Sequence, residues 1–522
     1  MKRNAFFITL LLIVVVLGTL VYFAVQKGSA SLLTGKKPNI IFILTDDLDT
    51  RSMAYMPKVK NLLTDQGTSF SNYFLSVSLC CPSRATTLRG QYGHNTHVLD
   101  NAPPEGGYQT FYERGEEKST IATWLHDGGY KTILLGKYLN GYPKNVVAET
   151  YVPPGWDNWY SPGAGNAYGQ FNYDLNENGK IVHYGSSPED FENDVLSKKA
   201  TDFIQQTKKP FFMYFATYSP HGPSTAAPRH DNLFQDLQLP RSPDFNEPDI
   251  TDKPQWLQSH DLLSDNQISQ LTNDYRKRIR SLQSVDDFVE SIINELKQTG
   301  QLDTTYIVFS SDNGFHLGEH RLPLGKNTAY EEDIRVPFII RGPGIPAGKT
   351  MGQLVGNVDL ATTFADLAGV STPSFVDGRS ILPLLRSNPP DWRSAYLLEH
   401  SSKAGGKNKN KKKVQPTPEA KLQSSDLTIE PLDVLAAVTS KNSFVKPAKG
   451  QQAPPFTGIR TKEYLYVEYE TGEKELYDLK KDPYQLQNIA VTADSSLLQK
   501  LSKQVADLKG CSGDSCRKAD SQ

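Results

Sequence analysis

From Pro38 onward the chain falls into short, unbroken apolar runs, each ending in polar residues and each followed by a longer segment with helical spacing. A run without polar alternation marks a strand buried on both faces, and strands of that kind alternating with helices mark an α/β protein with parallel pairing. Four runs carry the pattern. The run 39–44 ends in Thr45-Asp46-Asp47, and the run 130–135 in Gly136-Lys137; the run 211–216 leads to Pro220-His221, and the run 305–310 to Asp312-Asn313-Gly314. Ligands of open α/β sheets bind beyond the carboxyl ends of the strands. These four tips therefore deliver carboxylates, an amide, a lysine and a histidine to one rim.

Helical spacing predicts helices over 57–66, 120–127, 265–299 and 359–368, with Gly300 and Gly369 where C-terminal stops belong. The stretch 221–264, rich in Pro, Asp and Ser, reads as a long excursion beside the rim. After His400 the pattern breaks into a Lys-rich segment, Lys403 to Lys413, followed by Pro416 and Pro418. Beyond it, alternation around Tyr464, Tyr466 and Tyr469 predicts a small antiparallel sheet, closed by a helix over 495–509. The expected organisation is an export segment at 1–36, a catalytic domain at 37–400, a flexible insertion at 401–455, and a C-terminal subdomain and tail at 456–522.

Composition adds two points. A formal charge of −2 over 522 residues gives no global field for nucleic acid. The N-terminus has Lys2 and Arg3 before an apolar run from Ala5 to Val25, which matches the ~20 residues that a bilayer crossing needs. Gly28-Ser29-Ala30 offers a small-residue cleavage site, so cleaved signal and membrane anchor both stand. Either places the rest of the chain outside the cytoplasm, in an extracellular, periplasmic or cell-surface location. In such an oxidising compartment Cys511 and Cys516, flanking a turn at Gly513, are expected to form a disulfide.

The chemistry centres on Leu79-Cys80-Cys81-Pro82-Ser83-Arg84. Pro shortly after a Cys reads as a helix start, which places the Cys at the positive end of a helix dipole. Asp46, Asp47, Asp312 and Asn313 form an oxygen-only set suited to Ca²⁺ or, as the lesser candidate, Mg²⁺. Cys80-x-Pro82-x-Arg84, with Gly136-Lys137-Tyr138-Leu139-Asn140, His221, Asp312-Asn313-Gly314-Phe315-His316-Leu317-Gly318 and Gly325-Lys326 in this order, resembles the formylglycine-dependent type I sulfatases of the alkaline phosphatase superfamily. The terminal Glu475-Leu476-Tyr477-Asp478-Leu479 with Asp482-Pro483 is similar to the family's usual ending, and within the family the segments 79–84, Gly93-His94-Asn95, 136–140 and 312–318 look most like N-acetylglucosamine-6-sulfatases and their bacterial and arylsulfatase relatives.

The resemblance implies an α/β fold with a large mixed, mostly parallel sheet between helices, and a small C-terminal antiparallel sheet with a helix. It implies that a maturation enzyme converts Cys80 to formylglycine, whose hydrate attacks sulfur. It implies a metal held by Asp46, Asp47, Asp312, Asn313 and residue 80, with Arg84, Lys137, His221 and Lys326 as catalytic groups. His316 and His94 are candidates for substrate contact. The sequence departs from the family at Leu139, where many relatives carry a His, so the base for the second half-reaction has no assignment.

The implied substrate is a sulfated sugar or an aryl sulfate. Two rival functions stand beside it. One is a phosphatase or phosphonate monoester hydrolase of the same superfamily, disfavoured by a metal set without His. The other is a non-catalytic surface protein that binds acidic polysaccharide through Lys403–Lys413.

Overall fold

The computed structural model describes residues 37–386, 392–401 and 452–522. The expected N-terminal export segment and the Lys-rich part of the insertion lie outside the described residues. Among those described, no helix is long and apolar enough to cross a membrane.

The four apolar runs are the centre of a ten-stranded sheet. Asn39–Asp46 pairs in parallel with Phe211–Pro220 on one side and with Thr305–Ser311 on the other, and Lys131–Gly136 pairs in parallel with Phe211–Pro220. All four run the same way, so their polar tips emerge at one edge. The apolar runs lack alternation because both faces are covered. Ile40, Phe42 and Leu44 pack with Phe212 and Tyr214 beneath one helical layer, and Ile41 and Ile43 pack with Met213 and Phe215 beneath the other. The second layer is dominated by the helix Asp265–Gln298, opened by a capping box in which the Ser264 and Gln267 side chains each reach the other's backbone N–H. The sheet is mixed: Phe338–Arg341 pairs antiparallel with Thr305–Ser311, and Asn158–Gly165, Tyr173–Glu177 and Lys180–Tyr184 form a meander at the far edge.

Expected helices appear at Ile121–Asp127 and Leu360–Ala368. The one expected over 57–66 is shorter, an α-turn Pro57–Val59 running into a wider π-type turn Lys60–Thr64. The excursion 221–264 is mostly irregular, yet it buries Asp244, Glu247 and Lys253 against the body of the protein.

The C-terminal sheet has four strands: Ala395–His400, Phe456–Thr461, Tyr464–Tyr469 and Lys474–Asp478, all antiparallel. Its first strand precedes the Lys-rich segment, so the sheet draws chain from both sides of it. The helix Ser495–Lys509 closes it, and Cys511 and Cys516 are disulfide-bonded with their Cα atoms 4.8 Å apart.

Candidate active site

The first strand ends in a bulge. Leu44 pairs with Ala216, but Asp46 pairs with Pro220, and Asp47 then takes a left-handed conformation at φ 68°. Asp tolerates that region better than most residues, and the Arg278 guanidinium donates to the Asp47 carbonyl. The neighbouring tip is locked to it. Asp312 N–H donates to the Thr45 carbonyl at 3.0 Å, Asp312 Oδ1 accepts from Asp47 N–H at 3.2 Å, and Asn313 Nδ2 donates to Asp47 Oδ1 at 2.6 Å. At the third tip, Gly136 has φ 98° and a Cβ there would lie 2.1 Å from the Ala216 carbonyl oxygen. Only glycine lets the backbone come this close and turn Lys137 inward.

Opposite these tips stands the helix Cys80–Arg89, capped at its far end by Gly90 in the left-handed region. Cys80 is its first residue, and the next backbone N–H, of Cys81, donates to Asn101 Oδ1 at 2.8 Å. Cys80 is fully buried, with Sγ 3.4 Å from Asp46 Oδ1. Lys326 Nζ donates both to Sγ at 2.8 Å and to Asp47 Oδ1 at 2.7 Å. One turn along the helix, Arg84 is equally buried; Nε donates to Asp312 Oδ2 at 2.7 Å and Nη1 to the Lys137 carbonyl at 2.9 Å. Lys137 Nζ donates to Asp46 Oδ2 at 2.7 Å, and His221 Nε2 lies 3.8 Å from Asp47 Oδ2. The catalytic and metal candidates read from the sequence thus converge on one cluster.

Charge is balanced within it, three carboxylates against Arg84, Lys137 and Lys326. Burial disfavours every ion here, but Lys137, His221, Arg84 and Lys326 together hold the Asp46 carboxyl well below the usual range. Asp312 is pushed up to about 6 by burial and by Asp46. Burial and Asp46 also push the Cys80 thiol well up, the reverse of what a thiolate nucleophile needs. Ligand atoms of Asp46, Asp47, Cys80 and Asp312 all lie within 4.8 Å of one another. Asn313 Oδ1 is buried and has no hydrogen-bond partner. These carboxylate and amide oxygens fit a hard divalent cation.

His316 lies beside the cluster. Its Nδ1 is 2.9 Å from Asp333 Oδ1, and a Cβ on Gly325, the residue before Lys326, would lie 2.8 Å from its Nε2. His94 is placed elsewhere. Both of its ring nitrogens are occupied, Nδ1 by Glu399 Oε1 and Nε2 by the Cys511 carbonyl, each at 2.8 Å. It fastens the disulfide loop to the body of the protein and does not join the cluster. Leu139 is buried in the core among Tyr138, Tyr142 and Trp159.

Two neighbours escaped the sequence reading. Asp333 takes hydrogen bonds from Thr328 N–H and Oγ1 as well as facing His316. Tyr168 sets its ring 4.7 Å from that of His221, with Lys137 Nζ 5.2 Å from its centre. Asp333 belongs to an acidic run that reads as a solvated helix start, and Tyr168 has no motif around it.

A family profile described as Sulfatase matches residues 38–370. The N-acetylglucosamine-6-sulfatase of Homo sapiens is 36% identical over 97% of this chain and 90% of its own length. Among solved structures, one described as BT4656 in complex with its substrate D-glucosamine-2-N,6-O-disulfate superposes with a TM-score of 0.73 at 24% identity, covering 93% of this chain and 99% of the other. The phosphonate monoester hydrolase of Agrobacterium radiobacter reaches 0.66 at 19% identity, over 91% and 95%. The shared fold alone does not separate sulfate from phosphonate chemistry; the sequence does. The chain belongs to the sulfatase family of sulfuric ester hydrolases.

Proposed function

We propose that the protein removes sulfate from a sugar of the N-acetylglucosamine 6-sulfate type, with Cys80 matured to formylglycine and Ca²⁺ held by Asp46, Asp47, Asp312 and Asn313. Sulfatases generally use formylglycine and a divalent metal ion. The observation that carries the reading is the seat of Cys80: buried at a helix start, between Asp46 and the Lys326 ammonium. Formylglycine supplies, as its hydrate, an oxygen nucleophile where a thiol would serve poorly. A cation held by these oxygens would supply Lewis-acid polarisation of a sulfate oxygen.

The remaining work falls to the chain's own side chains. Arg84 is fixed through Nε and Nη1, and its buried Nη2 has no hydrogen-bond partner, which leaves a donor for an anion. Lys137 and Lys326 flank residue 80 and balance charge that grows on the sulfate oxygens, the largest contribution in transfer chemistry of this kind. His221 and Lys326 are the groups able to protonate the departing sugar oxygen. With Leu139 unable to act as a base, the buried His316–Asp333 pair is the candidate for the proton removal that regenerates the enzyme. The disulfide and the basic-then-apolar N-terminal sequence support export, with anchoring by that segment as one outcome.

The test is to co-express the protein with a formylglycine-generating enzyme, establish the state of residue 80 by peptide mass spectrometry, and compare turnover of glucosamine 6-sulfate, an aryl sulfate and an aryl phosphate. Formylglycine at position 80 with preferential turnover of the sugar sulfate is expected. An unconverted Cys80 in active protein, or faster phosphate hydrolysis, overturns the reading.

A further inference from the structure

A second cluster of ligating side chains lies apart from the residues around Cys80. Asp244, from the irregular excursion, His320, from the turn between the short strands His316–Leu317 and Leu324–Gly325, and Glu332, from the helix Glu331–Ile334, each bring one ligating atom within 4.8 Å of the other two. Asp244 and His320 are each 1% exposed. Each of the three residues keeps one buried polar atom without a hydrogen-bond partner: Asp244 Oδ1, His320 Nε2 and Glu332 Oε2. Buried polar atoms are nearly always paired, so three orphans in one cluster require an explanation.

The surroundings prepare His320 as a ligand. Its Nδ1 is 2.7 Å from Glu247 Oε2, and its ring stacks on Tyr330 with centroids 4.1 Å apart. A carboxylate on one ring nitrogen fixes the tautomer that leaves a lone pair on the other, an arrangement typical of metal-bound histidine. Nearby cations are already engaged. Arg51 donates to Glu319 at 2.5 Å, and Lys253 lies 3.3 Å from Glu247. Among the described residues, no ion pair engages Asp244 or Glu332. Burial pushes both carboxyls up; Glu319 adds to this at both and Asp244 adds to it at Glu332, while Arg51 opposes it at both. Two acids facing one imidazole in a dry space are disfavoured as ions on their own, and a divalent cation would supply the charge that lets both ionise.

We propose that Asp244, His320 and Glu332 form a second metal site, filled by a divalent transition ion of the Zn²⁺ class through Asp244 Oδ1, His320 Nε2 and Glu332 Oε2. One imidazole and two carboxylates suit such an ion better than Ca²⁺, whereas the set at Asp46, Asp47, Asp312 and Asn313 is all oxygen. The two sites therefore divide hard and borderline cations between them. The ion joins the excursion and the Glu331–Ile334 helix to the turn between His316 and Lys326, so its role is to position those two residues.

The test uses full-length Cys80→Ala protein, which removes the competing thiol, freed of metal by chelation and then held in saturating Ca²⁺. Equilibrium dialysis with Zn²⁺ is expected to find one equivalent bound. Binding should be lost in the added variants His320→Gln and Asp244→Asn and kept in Asp312→Asn. Co²⁺ in place of Zn²⁺ should give a visible absorption spectrum that Ca²⁺ does not displace, a readout that needs no further variant to fold. Absence of Zn²⁺ binding under these conditions overturns the proposal and leaves the cluster as a proton-sharing network. So does Zn²⁺ binding that survives both substitutions in folded protein.

Discussion

At the scale of single residues, the proposed reaction divides the cluster into groups that would also hold the fold and groups that would serve turnover alone. Cys80 donates one long hydrogen bond and accepts one from Lys326, so Cys80→Ala should leave the thermal midpoint close to wild type while turnover disappears. Near-normal turnover in that variant would refute the assigned nucleophile. Arg84 differs because it is wholly buried and its Nε neutralises Asp312. Removing one partner of a buried pair strands the other charge, so Arg84→Ala should cost about 3–5 kcal/mol of stability as well as activity. Denaturant unfolding of the two variants side by side checks the contrast. His316→Ala, in turn, should slow turnover by roughly 10²–10⁴-fold. If His316 serves the regenerating step, rapid mixing will show about one equivalent of desulfated sugar per enzyme, with free sulfate withheld. An equal loss in both products would assign His316 to substrate binding.

Elements explain which parts were legible in the sequence. The four central strands could be read because burial on two faces produces unbroken apolar runs, and their tips could be read because parallel strands end together. The meander Asn158–Gly165, Tyr173–Glu177 and Lys180–Tyr184 could not, since its edge strand buries no residue fully and its residues are mixed. Likewise Ala395–His400 pairs with a strand beyond the Lys-rich segment, a partner that no local pattern announces. His94 shows the same limit at the site. Its second partner lies 417 residues away, so Gly93-His94-Asn95 carries no local trace of its role. Both partners of that ring are acceptors, which requires the doubly protonated form. Burial opposes the charge, but the Glu399 carboxylate and the Cys511 carbonyl outweigh it and raise His94 to about 9. A pKa above the unfolded value of about 6.5 stabilises the fold fully below that pH and is lost as pH rises through about 9. The midpoint difference between wild type and His94→Gln should therefore shrink steadily across this window. A difference that stays constant would show that packing alone holds the disulfide loop.

For the whole molecule, the C-terminal sheet is a brace for the catalytic rim. Its core merges Ile459, Leu465, Tyr466 and Leu476 with Phe74, Tyr92, Leu354 and Val358 of the larger body in one apolar cluster. Polar ties run through the same region. Tyr330 donates to Glu475 at 2.7 Å and Arg460 to Glu331 at 2.7 Å, which steadies the short helix that carries Glu332 and Asp333. At the other end of the interface, Arg393 is fully buried between Asp359 of the larger body and Asp520 near the C-terminus, with contacts of 2.6, 2.8 and 2.7 Å. Burial works against that charge, but the two carboxylates outweigh it and hold the guanidinium ionised. Arg393→Ala would leave Asp359 and Asp520 buried without their cation, a loss of about 3–5 kcal/mol. Because apolar packing and ion pairs both cross the interface, the loss should lower one shared unfolding transition followed by circular dichroism and by tryptophan fluorescence, without splitting it in two. A variant in which the C-terminal part melts first, while the Cys80 cluster still turns over substrate, would show that the rim stands without its brace.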